Sequence, residues 1–108
     1  MSQADLAAQH CAPCVPGTLP LDEATVKQLH ALINAAWELQ DDRIERRFKF
    51  EDFSRAFAFA TQVALLAESE GHHPDLKIGW GYTSVSLKTH AAKGLTDNDF
   101  IMAARIDR

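Results

Sequence analysis

Three of the five histidines in this 108-residue chain fall within one short stretch, AESEGHHPDLKIGWGYTSVSLKTH, as His72, His73 and His90. Histidine is the side chain whose ordinary pKa lies closest to neutrality, so a cluster of them suits proton transfer or metal ligation. Pro74 biases His73 toward extended backbone. Neighbours in an extended chain point to opposite sides, so one member of the His72–His73 pair can face a cavity while the other is tied down. Two carboxylates are within reach of the cluster: Glu68, in the last turn of a helix, and Asp99, in the first turn of another. A metal site needs three or four converging ligands, and a pair adjacent in sequence converges poorly. No serine has an elbow context, and both cysteines are remote in sequence, so a covalent nucleophile is lacking. General acid–base chemistry, with imidazoles tuned by carboxylates, fits these residues best.

The elements that must hold these groups are legible in the apolar spacing. Residues 21–35 read as a helix capped by Asp22, with Leu29, Leu32, Ile33 and Ala36 on one stripe. AWEL, the turn QDD and RIERRFKF read as a hairpin. Trp37 and Leu39 are expected on one face of it, and Ile44, Phe48 and Phe50 on one face of its second strand, where Arg46 interrupts the apolar face. Residues 52–70 form the strongest helix, capped by Asp52 and closed by Gly71. Its apolar arc includes Phe53, Phe57, Phe59, Val63 and Leu66 and exceeds what one sheet face needs, which predicts a homodimer or homotetramer through this helix. DLKIGW and YTSVSLKT read as a second hairpin, and TDNDFIMAARIDR as a last helix with Thr96 as its cap. The fold expected is a single α+β domain of order α-β-β-α-β-β-α, a four-stranded antiparallel sheet with helices on one face, over residues 21–108. Residues 1–20 are expected to be an irregular arm.

Composition narrows the function. The net charge of -4 lacks the basic face that direct nucleic-acid binding usually needs. No run approaches a membrane span, and the first residues lack the layout of a secretion signal, so a cytoplasmic location is expected. HCAPC (His10–Cys14) has redox or half-metal-site spacing, yet it stands among prolines without a second such pair, and it reads as a reduced, non-catalytic pair.

The spacing Glu68, three residues, His72-His73-Pro74, five residues, Trp80, nine residues, His90, eight residues, Asp99 resembles the signature of the pterin-4a-carbinolamine dehydratases. Trp37 and FKFEDFSRAFAF (residues 48–59) extend the likeness, which covers residues 20–108. The chain departs from animal members at Gly71, where they carry Asp, and at Ala91, where they carry Glu; an N-terminal Cys-x-x-Cys arm is similar to that of bacterial members. The resemblance implies a 4a-hydroxytetrahydropterin substrate dehydrated to the quinonoid dihydropterin, with no metal or cofactor, in recycling for aromatic amino-acid hydroxylation. It implies His72 and His90 as the acid–base pair, His73 as a pterin contact, Glu68 and Asp99 as orienting carboxylates, and Trp37, Pro74 and Thr89 as substrate-binding residues. A hydroxylase is the partner it implies. A protein-binding or dimerisation module on the same fold without catalysis is the alternative, and a small metalloprotein a third.

Overall fold

The computed structural model describes residues 1–108 as helices α1 (Gln3–Ala7), α2 (Glu23–His30), α3 (Phe53–Glu70) and α4 (Asp97–Asp107), with strands β1 (Glu38–Gln40), β2 (Arg43–Lys49), β3 (Asp75–Gly79) and β4 (Tyr82–Leu87). The sheet is antiparallel throughout, in the order β1-β2-β4-β3. The α+β class and the two hairpins agree with the expectation from sequence.

Register decides which side chains enter the core. β2 pairs with β4 so that Ile44 meets Leu87, Arg46 meets Val85 and Phe48 meets Thr83, while Leu76 and Ile78 of β3 join Val85 and Thr83 on the same face. Ile44, Val85 and Leu87 are fully buried, each contributing about 1.5–3 kcal/mol of transfer free energy. Arg46, the polar residue in that row, is accommodated: its Nη1 lies 3.0 Å from Asp107 Oδ1 and its guanidinium stacks 4.5 Å over the Phe48 ring. Across the covered face run α3, through Ala56, Ala60, Val63 and Ala67, and α4, whose Phe100, Ile101, Met102, Ala103 and Ala104 are all buried. Small alanines bring α3 close enough for Thr83 Oγ1 to donate to the Ala56 carbonyl at 2.7 Å.

Three expectations are corrected. Residues 1–20 are not wholly irregular: Ser2 and Asp5 form a capping box that starts α1, and Leu6 and Ala7 are buried in the core. The first long helix stops at His30, because the polypeptide turns through Asn34 before β1 begins. There His30 Nε2–H donates to the Trp37 carbonyl at 2.6 Å. Trp37 and Leu39 do not share an environment. Trp37 precedes the strand and is fully buried, whereas Leu39 lies on an edge strand exposed to solvent. On α3, Phe53 and Phe57 face outward with Leu65, at 48, 54 and 66% exposure, and belong to no core in the single chain. No helix is long and apolar enough to cross a membrane.

Candidate active site

Gly71 is the pivot of the site. Its φ of 64° and ψ of 27° end α3 in the left-handed conformation, which costs a residue with a Cβ about 1–2 kcal/mol. The helix closes with the His72 N–H donating to the Ala67 carbonyl at 3.2 Å, which fixes the backbone from which the histidine pair projects. The chain then enters β3 at Asp75, while β4 ends at Leu87 and leads through Thr89 into a 3₁₀ turn at His90–Ala92.

These two segments meet in a cavity of about 190 Å³, with His72, His73 and His90 in its wall together with Gly71, Lys88 and Thr89. The larger concavity, about 510 Å³, lies across the open sheet face between residues such as Arg43, Glu45, Arg47, Asp75 and Lys77. It has no histidine, and its Arg47 side chain is already stacked on Tyr82 at 3.9 Å. The smaller cavity, which holds all three clustered histidines, is therefore the candidate site.

Each member of the histidine pair has its own carboxylate. His72, 8% exposed, bonds through Nε2 to Oδ1 of the fully buried Asp99 at 2.7 Å. The other oxygen, Oδ2, accepts from Thr89 Oγ1 at 2.8 Å and from the Thr96 N–H at 3.0 Å. Thr96 Oγ1 lies 2.7 Å from Thr89 Oγ1 and completes the chain of hydroxyls. Asp99 thus has two tasks, capping α4 and holding His72. With Nε2–H donated to this carboxylate, the neutral ring keeps its free lone pair on Nδ1, so Asp99 fixes the tautomer. His73 Nε2 meets Glu68 Oε1 at 2.5 Å, but both side chains are largely exposed. That pair orients a ring more than it stabilises the fold.

The remaining expectations from sequence separate cleanly. Thr89 is in the cavity wall, but its hydroxyl is spent on Asp99 rather than left for a ligand. Pro74 is half-buried outside the lining and acts through the backbone of His73. Trp37 does not line the cavity: it is core, edge-on to Phe48 at 6.0 Å, and its Nε1–H donates to Asp107 Oδ2 at 2.8 Å. No three His, Cys, Asp or Glu side chains converge closely enough to share one metal ion.

Sequence reasoning missed part of the wall. Ala12 and Cys14 of the N-terminal arm line the cavity, as do Lys88 and Asn98. Lys88 is anchored by Asp42, whose Oδ2 is 2.6 Å from Nζ; this hydrogen bond, with that of Arg43, holds the Asp42 carboxyl below its usual range. Glu70 pins the arm. It accepts from His10 Nδ1 at 2.9 Å and from the Cys11 N–H at 2.7 Å, and these bonds hold its carboxyl below the usual range. Cys11 is half-buried, and burial beside Glu70 pushes its thiol up to about 12, which leaves it protonated and a poor nucleophile. The signal for this docking was the position of Asn98, directly before Asp99, but nothing in the spacing pairs it with residue 12.

Comparison with known proteins gives a consistent result. The family model described as pterin 4 alpha carbinolamine dehydratase matches residues 19–108. A protein of Methylococcus capsulatus named "Putative pterin-4-alpha-carbinolamine dehydratase" is 45% identical over 109 residues, 99% of this chain and 95% of its own. One of the same name from Aromatoleum aromaticum is 45% identical over 105 residues, covering 95% and 93%. Among solved structures, a transcriptional coactivator/pterin dehydratase from Brucella melitensis superposes with a TM-score of 0.75 at 36% identity, over 82% of this chain and 95% of that one. A pterin dehydratase-like protein described as a RuBisCO assembly factor of the alpha-carboxysome is similar at a TM-score of 0.57 and 27% identity, over 67% and 86%. With the family model matched over residues 19–108 and a relative 45% identical along 99% of the chain, the chain belongs to the pterin-4a-carbinolamine dehydratase family, a family of hydro-lyases.

Proposed function

We propose that this protein dehydrates a 4a-hydroxytetrahydropterin to the quinonoid dihydropterin by general acid–base catalysis in the cavity of His72, His73 and His90. The observation that carries the reading is the convergence of three imidazoles from two separate chain segments on one cavity, with a buried carboxylate behind one of them. In the reaction the C4a–O bond breaks, its electron pair leaves with the hydroxyl, and an acid supplies the proton that makes it water. A base removes the proton from N5, and the N–H electron pair closes the C4a=N5 double bond. His72 and His90 are the pair. Asp99 accepts from His72 Nε2 and holds the ring in one orientation and tautomer, and His90, exposed and without a carboxylate partner, exchanges protons with water between turnovers. Each positioned transfer contributes roughly 10²–10⁴-fold. His73, oriented by Glu68, contacts the pterin. The product is a quinonoid dihydropterin, which a reductase restores, so the protein serves a cytoplasmic aromatic amino-acid hydroxylase that consumes the pterin.

The test is the decay of chemically or enzymatically generated 4a-hydroxytetrahydropterin, followed by the absorbance of the quinonoid product. The protein at micromolar concentration should accelerate it well beyond an equal concentration of free imidazole; equality with free imidazole would remove the assignment.

A second property has its own motive. The outward row of Phe53, Phe57 and Leu65 on α3 is the kind of apolar stripe that another copy of the helix covers. The protein is proposed to associate with itself through α3, and Phe57→Lys should shift its mass in sedimentation toward the monomer. A wild type that is already monomeric at high concentration would favour a binding module whose partner is another protein.

A further inference from the structure

HCAPC had no evident task in the sequence, yet the fold lays it along the cavity. α1 already anchors the arm to the core through Leu6 and Ala7. Residues 10–14 are nevertheless fastened a second time, at the cavity itself. Asn98, 4% exposed, treats Ala12 as a neighbouring strand would: the Ala12 N–H donates to Oδ1 at 2.9 Å, and Nδ2 donates to the Ala12 carbonyl at 2.7 Å. The same Nδ2 reaches Cys14 Sγ at 3.3 Å. Asn98 directly precedes Asp99, so one turn of α4 holds both His72 and the arm. Glu70, with Arg105 Nη1 3.3 Å away, fixes the residues just before.

From this geometry we infer that the arm completes the pterin-binding wall: Cys14 contacts the substrate, and Asn98 is the residue that positions it. The inference rests on the dehydratase reading and extends it to a segment outside the histidine signature. A thiol is compact, polarizable and weakly polar, and sulfur at the edge of a flat π-system is favourable. Loss of such a contact raises KM by about two- to tenfold and leaves kcat alone, because the contact is the same in ground and transition states. Cys11 has a different surrounding. It lies outside the cavity lining, and its Sγ donates to the Asn98 carbonyl at 3.7 Å.

The experiment uses the full-length chain with Cys11→Ser, so that Cys14 is the single thiol. Its alkylation by N-ethylmaleimide is timed with and without 7,8-dihydropterin, a ring analogue that cannot lose water. Protection of about tenfold is expected at ten times the analogue's Kd. In parallel, Cys14→Ala should raise KM two- to tenfold with kcat retained. Asn98→Ala should do the same, whereas damage spreading to Asp99 would lower kcat and overturn the positioning role. Alkylation indifferent to bound analogue, or an unchanged KM in Cys14→Ala, overturns the inference while wild-type dehydration stands. A wild type that neither dehydrates the substrate nor binds the analogue overturns the dehydratase reading first, before any variant is made.

Discussion

Replacing Asp99 with Asn alters one atom and one charge at a fully buried position, and the hydrogen bonds there determine the outcome. Asp99 accepts at both oxygens, from His72 on one side and from Thr89 and the Thr96 N–H on the other. An amide accepts at one side only. If its NH₂ faced Thr89 and Thr96, the Thr96 N–H would lose its acceptor in a buried place, at a cost of about 1–3 kcal/mol. If instead the NH₂ faces His72, Nε2 becomes the acceptor and the ring takes the Nδ1–H tautomer, with every backbone group still satisfied. The second arrangement costs less, so the variant folds with the wrong tautomer at His72, its free lone pair moved from Nδ1 to Nε2 and spent on the amide. The expected loss in kcat is about 10²-fold or more, which is about 2.7 kcal/mol of barrier at 1.36 kcal/mol per tenfold. Melting should fall by only a few degrees, since about 1 kcal/mol moves Tm by roughly 4–8 °C in a domain near this size. The assay pairs thermal melting with dehydration kinetics. A variant that melts like wild type and keeps its kcat would refute the coupling of Asp99 to His72.

Two other perturbations probe the core and the end of α3. Trp37→Phe removes the indole N–H that serves Asp107 in the core, so chemical denaturation should show a loss of about 1–3 kcal/mol while kcat and KM stay near wild type; a KM that rises alone would return Trp37 to the pocket. Gly71→Ala places a Cβ at a φ of 64°, where no neighbour lies within 4 Å, so its cost is backbone strain of about 1–2 kcal/mol. Gly71→Asn, which tolerates that region better, should recover part of it in the same denaturation measurement.

Much of this arrangement was legible in the sequence because it is local. α3 announces itself by Asp52 and Gly71, and the alternation of β4 placed Val85 and Leu87 inward without ambiguity. The histidine cluster was legible for a related reason: a helix stop, a proline and a strand end leave little freedom at His72, His73 and His90. What escaped depends on contacts distant in sequence. The Ser2–Asp5 capping box was present as a pattern, but α1 is only five residues long and is stabilised by docking on α4, not by its own propensity. Trp37 has the composition of a pocket wall, and only its partner seventy residues away, Asp107, makes it core. The arm over the cavity is held by Asn98 across eighty-six residues, a link that no periodicity records. Phe53 and Phe57 read in the sequence as surplus apolar surface on α3, and the single chain leaves them exposed.

Whether His72 and His90 work as a pair is tested most directly by single-turnover decay of 4a-hydroxytetrahydropterin with His72→Ala, His90→Ala and the double variant beside wild type. Each single variant should lose about 10²-fold or more in rate, and the double variant should fall to the rate in buffer. Two single variants indistinguishable from wild type would contradict the pairing.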